Sequence, residues 1–201
     1  MEKKPERSCG ILAYKLDEDR RRMKVLLGRC GGYSGSKESP WNIPKGHVEG
    51  DENDMDCACR EFSEETGLVI CGSPEMVDLG TSKTSSGKIV HIFATRMDFS
   101  KGSDIVEIHS NMCKMEMPRK SGNFIEVPEL IEAKYMDADD ALHQMFPYQR
   151  IFVKRLLIYY YQNLIQETAR CLGVEPSLAK ELNAMHYEFE VNEKFDPYKG
   201  F

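Results

Sequence analysis

Glu61, Glu64 and Glu65 put three carboxylates close together in a segment of helical pattern, Asp54–Thr66. On an α-helix, Glu65 lies about 40° to one side of Glu61 and Glu64 about 60° to the other, so the three share one face. Met55, Ala58, Cys59 and Phe62 gather on a neighbouring face and form an ordinary core stripe, while Cys57 lies on the carboxylate face, where a thiol needs no role. Like charges one turn apart cost a few tenths of a kcal/mol, and near a helix C-terminus they also oppose the macrodipole. A bound cation offsets both. Hard oxygen donors suit Mg²⁺ or Mn²⁺, which stabilise charge on a phosphate and activate water. Three acids alone would equally make a solvated charged face; the wider spacing points further.

Gly46 is followed by five residues and Glu52, then by seven residues and Arg60-Glu61-Phe62-Ser63-Glu64-Glu65-Thr66-Gly67-Leu68. This is G-x5-E-x7-R-E-U-x-E-E-x-G-U, with Phe62 and Leu68 at the bulky apolar positions U. On these residues the chain resembles the Nudix hydrolase family. The resemblance implies a loop–helix–loop on an α/β/α sandwich. It also implies metal ligation by Glu61, Glu64 and Glu65, joined by the backbone carbonyl of Gly46. Arg60 and Glu52 take supporting roles, since a guanidinium can hold a carboxylate bidentately and fix its aim. Gly46 and Gly67 serve tight backbone geometry. The implied reaction is attack of water on a nucleoside diphosphate linked to another group, with Mg²⁺ or Mn²⁺ neutralising the diphosphate and a carboxylate taking the proton. Glu65 and Glu129 are both candidates for that base.

The flanks bear on the substrate. Trp41–Glu49 (WNIPKGHVE) is similar to the approach segment of dinucleoside tetraphosphate hydrolases within the family. Lys45 is a candidate phosphate contact, and so is Lys88 in the turn Lys83–Lys88; Arg29, ending the second strand, is a third candidate for substrate binding. His47 is read as structural. Glu129, six residues before Tyr135, matches the place where such hydrolases recruit a further acid, with Glu126 and Glu132 as competitors. Thr84–Ser86, where the family's marker tyrosine for dinucleoside polyphosphates would fall, holds none, and the proline marker for ADP-ribose is also missing there. The expected substrate is a dinucleoside polyphosphate. The rivals are a nucleoside triphosphate, a capped RNA, a diphosphoinositol phosphate, and a non-catalytic nucleotide sensor.

The elements that position these residues follow from pattern. Ser8–Tyr14, Lys24–Gly28, Val77–Leu79, Ile89–Ala94 and Glu132–Met136 read as strands. Residues 31–40 form a Gly/Ser/Pro loop, and residues 100–128 are polar with turn signals at Pro118 and Ser121-Gly122. Asp54–Thr66 is a helix closed by Gly67; Asp137–Met145 is a short one. Pro147–Leu172 is a long one with apolar residues at i, i+3, i+4 spacing, and Pro176–Tyr187 suggests another. The fold class is therefore α+β: a domain over 1–146 and a C-terminal helical extension over 147–201. The extension either covers the domain or builds a homodimer, and the aromatic run Tyr159-Tyr160-Tyr161 serves that packing.

Composition narrows the class. The 201 residues are 41% hydrophobic and 30% charged with net charge −6, enough for a sizeable core and against a stable nucleic-acid partner. Seven cysteines, with one C-x-C pair (Cys57, Cys59) and no second pair at metal spacing, argue against zinc and for reduced thiols. The first residues carry no apolar secretory run, and no stretch approaches the ~20 apolar residues of a membrane span. A cytoplasmic protein with a small nucleotide substrate is the expectation.

Overall fold

The computed structural model describes residues 6–17, 22–31, 40–70, 75–100, 102–118 and 120–173. The chain divides into two compact units, Met1–Val153 and Lys154–Phe201. Of the second, residues 154–173 are described, and the helix expected over Pro176–Tyr187 lies outside them.

In chain order the elements are β1 (Arg7–Leu16), β2 (Met23–Cys30), β3 (Lys45–His47), α1 (Asp54–Thr66), β4 (Met76–Lys83), β5 (Ile89–Arg96), β6 (Ile105–Val106), β7 (Met112–Glu116), β8 (Phe124–Pro128), β9 (Leu130–Asp137), α2 (Ala138–Gln144) and α3 (Arg150–Cys171). A seven-stranded sheet runs β4-β5-β1-β2-β9-β6, with β3 attached to β1. It is mixed: β1 and β5 pair parallel and the other pairs antiparallel. Strands β7 and β8 form a separate two-stranded sheet. The class is α+β, as expected.

Alternation along the strands divides the core. Cys9, Ile11 and Ala13 of β1, Leu26 of β2, Phe93 of β5, and Ala133 and Tyr135 of β9 share one buried cluster with Cys57, Ala58 and Phe62 of α1. Leu12, Val25, Leu27, Ile92 and Ala94 alternate with them and are equally buried; α2 lies against β2 and β9. Strand ends run beyond the apolar patches because pairing carries them on: Leu16 sits opposite Met23, and Lys24 opposite Asp137.

The region 100–128, expected to be irregular, holds β6 and the β7–β8 hairpin. The helix expected from Pro147 instead opens with a 3-10 turn, Pro147–Gln149, before α3 begins at Arg150. That turn places Gln149, which is fully buried. Its Oε1 accepts from the Ile43 amide at 2.8 Å, and its Nε2 donates to the Asn42 Oδ1 and, at 2.9 Å, to the Tyr148 hydroxyl. Asn42 also exchanges both backbone hydrogen bonds with Gly28 at 2.8 Å. These contacts fix the segment that leads into Gly46. Gln149→Leu is expected to leave the buried Ile43 N–H without its acceptor and to cost about 2–3 kcal/mol. In urea unfolding the midpoint should fall with an unchanged slope; an unmoved midpoint would show that Asn42 and Ile43 are held some other way.

Candidate active site

Helix α1 starts where it does because the Asn53 side chain accepts from the amides of Met55 (3.0 Å) and Asp56 (2.9 Å), satisfying two orphan donors. It stops at Gly67, which adopts φ 72° and returns its amide to the Ser63 carbonyl. The neighbouring carbonyls of Glu64 and Thr66 accept from the amides of Asn111 and His109, both at 2.9 Å. Residues 109–111 therefore cap the helix and lead straight into β7.

The carboxylate face of α1 is turned toward protein. Strand β3, held antiparallel on β1 by the Cys9–Gly46 register, lies over it. Gly46 approaches so closely that a β-carbon there would overlap the Glu61 carboxylate. Glu61 is only 9% exposed. Cys57, expected on the carboxylate face, is buried in the core cluster with its Sγ 3.4 Å from the His47 carbonyl; burial raises its pKa to about 11, so it is an inert thiol.

Arg60 organises the acids. Its Nη2 donates to Glu52 Oε1 at 2.6 Å and to the His47 carbonyl at 2.8 Å, and its Nε donates to Glu52 Oε2 at 3.2 Å. Its Nη1 bridges Glu61 Oε1 at 2.9 Å and Glu64 Oε2 at 3.0 Å. The bidentate pair holds Glu52 well below the usual carboxylate range, at about 2. Glu65, half-buried, accepts from the Lys45 amide at 3.0 Å. Burial, and then the charges of Glu129 and Glu61, outweigh that amide and the Lys45 ammonium and push Glu65 up to about 8. Glu61 is raised chiefly by burial, despite Arg60, with Glu64 and Glu49 adding to it. Glu129 is raised by burial and by Glu61 and Glu64. Glu129 is thus coupled by charge to Glu61, Glu64 and Glu65.

Glu129 lies in the turn before β9. Its amide donates to Asn111 and its carbonyl accepts from Gly31, both at 2.9 Å. Of its two competitors, Glu132 pairs with Arg29 at 3.7 Å, and Glu126 sits opposite Lys114 across the hairpin. Arg29 lies with its guanidinium 4.5 Å from the centre of the Trp41 ring. Lys88 is 3.1 Å from His47 Nε2 and 3.5 Å from Glu6.

A carboxyl with a folded pKa above its ordinary value favours the protonated, folded state. Its stabilisation is complete below about 4.5 and is lost as pH rises through about 8 for Glu65. In the absence of divalent ions, the protein is therefore expected to melt at a lower temperature at pH 8.5 than at pH 5.5. Glu65→Gln should flatten that dependence, as read by calorimetry at both pH values. An equal slope in the variant would remove Glu65 from this account.

A mixed-sheet sandwich, a glycine-abutted helix and a carboxylate cluster gathered by one arginine define the Nudix class of fold and site. The Nudix domain model matches residues 7–156: the chain belongs to the Nudix family. It is 37% identical over 89 residues to an uncharacterised 17.7 kDa protein of Enterobacteria phage T4, covering 43% of this chain and 56% of that one. It is 47% identical over 46 residues to the mRNA-decapping protein g5R of African swine fever virus, covering 23% and 19%. It is 34% identical over 68 residues to the asymmetrical bis(5′-nucleosyl)-tetraphosphatase of Mus musculus, covering 31% and 42%. The chain thus spans little more than half the length of these relatives, or less. Among solved structures, a MutT/nudix family protein from Listeria innocua superposes with TM-score 0.55 at 15% identity, covering 82% of this chain and 99% of that one; at that identity it shows the fold. No helix among the described residues is long and apolar enough to cross a membrane.

Proposed function

We propose that the chain is a divalent-metal-dependent pyrophosphohydrolase that cleaves a nucleoside diphosphate linked to another moiety, with a dinucleoside polyphosphate as its substrate. The observation that carries this reading is the Arg60 hub, which aims Glu52, Glu61 and Glu64 while Glu65 and Glu129 are coupled by charge to the same cluster. Among the described residues, no three His, Cys, Asp or Glu groups converge as a ready-made metal cage; Arg60 Nη1 bridges Glu61 and Glu64 instead. The donor set nevertheless fits a hard cation. Its members are carboxylate oxygens, Glu61 and Glu65 are destabilised as anions chiefly by burial, with the charges of Glu64 and Glu49 adding at Glu61 and those of Glu129 and Glu61 at Glu65, and the missing side chain of Gly46 is the space that lets the Glu61 carboxylate abut β3. Glu61, Glu64 and Glu65, with the Gly46 carbonyl, would hold Mg²⁺ or Mn²⁺, which neutralises charge on a bound diphosphate.

The residues of the chain do the rest. Arg60 fixes the aim of three carboxylates, and Glu52 keeps the guanidinium in place. Lys45 sits beside Glu65 and supplies positive charge to the phosphates; Arg29 and Lys88 take the substrate's periphery. Glu65 or Glu129 removes the proton of the attacking water. The 1–146 domain carries this chemistry, and the extension over 147–201 serves to cover it or to join a second copy.

A second reading is favoured by the g5R match: a capped RNA end, whose triphosphate bridge offers the same chemistry. The net charge of −6 weighs against long RNA, because phosphate contacts draw on clustered Lys and Arg. The test is hydrolysis of diadenosine tetraphosphate, ADP-ribose, nucleoside triphosphates and a capped RNA, each with Mg²⁺, Mn²⁺ or EDTA. Cleavage of diadenosine tetraphosphate that EDTA abolishes, faster than the others, is the expected result. Preference for the capped RNA selects the second reading. Nucleotide bound with no turnover anywhere turns the chain into a sensor.

A further inference from the structure

We propose that Ser110 is a positioning residue for Glu129: its hydroxyl clamps the turn that carries Glu129 onto the C-terminal end of α1, the helix that bears Glu61, Glu64 and Glu65. This rests on the reading that Glu129 takes part in hydrolysis at those carboxylates. Glu129 is the single residue between β8 and β9, so its aim depends on what holds the turn. The ladder between β2 and β9 slips at the same level, between Arg29 and Cys30, and strand pairing alone does not fix the turn there. Strand β8 does not tie it to the main sheet either, because β8 belongs to the separate two-stranded one.

What holds it is a short bridge of hydrogen bonds through residues 110 and 111. The Ser110 Oγ accepts from the Leu130 amide at 2.9 Å and donates to the Asn111 carbonyl at 3.3 Å. The same carbonyl accepts from the Glu129 amide at 2.9 Å, while the Asn111 amide ends on the Glu64 carbonyl at 2.9 Å. One residue, Asn111, thus joins the main chain of Glu64 to that of Glu129, and the Ser110 side chain locks the joint. On the far side the Glu129 carbonyl accepts from the Gly31 amide at 2.9 Å. A β-carbon at Gly31 would overlap the Pro128 carbonyl, so β2 and the turn are already in close contact there.

The position calls for a hydroxyl, because the group must accept and donate at once. Leu130 is 2% exposed, so its amide has little water to turn to when the hydroxyl is removed, and an orphaned buried donor is costly. The turn then shifts toward another acceptor and carries Glu129 with it. His109 and Asn111 serve the bridge with main-chain groups, whereas Ser110 serves it with a side chain that a substitution can remove. The Glu129 carboxyl is coupled by charge to Glu61 and Glu64, so a displaced turn also alters the charge that the helix acids feel.

The experiment is a double-mutant cycle of Ser110→Ala and Glu129→Gln, run on the nucleotide that wild type cleaves fastest. Glu129→Gln should lower kcat by about 10²-fold. Ser110→Ala should lower it by about tenfold with KM little changed, and in the Glu129→Gln background it should lower it no further. Binding of Mn²⁺, followed by the electron paramagnetic resonance signal of the free ion, is the readout independent of turnover. Glu129→Gln should weaken it about fivefold and Ser110→Ala about threefold, through lost or displaced negative charge, and the pair no more than Glu129→Gln. Equal losses from Ser110→Ala in both backgrounds, or none, overturn the proposal and leave Glu129 in its role. Wild-type kcat in Glu129→Gln removes Glu129 from the hydrolytic reading, and the positioning role with it. If wild type cleaves no nucleotide, Mn²⁺ decides alone: non-additive weakening keeps the clamp while the hydrolase reading falls, and additive or absent weakening overturns the clamp as well. Should Ser110→Ala not fold, Ser110→Cys, whose thiol is a weak donor and acceptor, takes its place in the cycle and is read in the same way.

Discussion

Glu64→Gln is expected to lower kcat by about 10²–10⁴-fold on the best substrate while leaving the folded state as stable as wild type. The two outcomes separate because of where Glu64 sits. Its side chain is 41% exposed, and its ion pair is with Arg60 Nη1 at 3.0 Å. A glutamine Oε1 can still accept that hydrogen bond, and the Glu64 backbone carbonyl keeps its bond to Asn111. What disappears is the anionic charge that a cation and a developing transition state would use. Steady-state rates with saturating Mg²⁺, together with a thermal melt in EDTA, check both halves. Substantial residual activity would sink the assignment of Glu64 to the metal. Lost activity accompanied by a collapsed melting temperature would make its role structural.

Gly46→Ala is the second substitution with a large expected effect, and its cause is steric. The added methyl would overlap the carboxylate of Glu61, which has little room to retreat: it is buried and its Oε1 is held by Arg60. Either β3 lifts from β1 or Glu61 turns away from its partners. In both cases the Gly46 carbonyl and the Glu61 oxygens no longer share one locus, and activity should fall by about 10²-fold, the scale seen when the support of a metal ligand is lost. Gly50→Ala is the informative contrast. Gly50 has φ +53°, so alanine there is strained, but a β-carbon meets nothing within 4 Å. It should cost about 1 kcal/mol of stability and leave turnover intact. Equal activity in Gly46→Ala and wild type would mean that the close approach of β3 to Glu61 has no bearing on the chemistry.

The parts of the fold that were legible in the sequence are those in which local pattern and tertiary role agree. Helix α1 carries its own period and its own Gly67 stop; β1, β2, β5 and β9 are apolar because they are buried. The site was legible where spacing along one element fixes geometry: Arg60 reaches Glu64 because they are one turn apart. The hairpin β7–β8 was not, because Met112 and Phe124 are apolar on its exposed face and blur the alternation of Cys113, Met115, Ile125 and Val127. Gln149 gave no signal either. A polar residue becomes a core residue only when a 3-10 turn aims it at the Ile43 amide, more than a hundred positions away in the chain. The angular reading put Cys57 among the carboxylates; it did not show that this face is covered, since the cover is β3, laid down by its pairing with Cys9.

The amides of His109 and Asn111 end on carbonyls of α1, and that of Glu129 ends on Asn111. Breaking any one of these hydrogen bonds frays the last turn of the helix and the root of the hairpin together. In hydrogen–deuterium exchange the three amides should open as a single cooperative unit, with one free energy and one response to ligand. A metal gripped by the helix would then slow exchange at the hairpin's root.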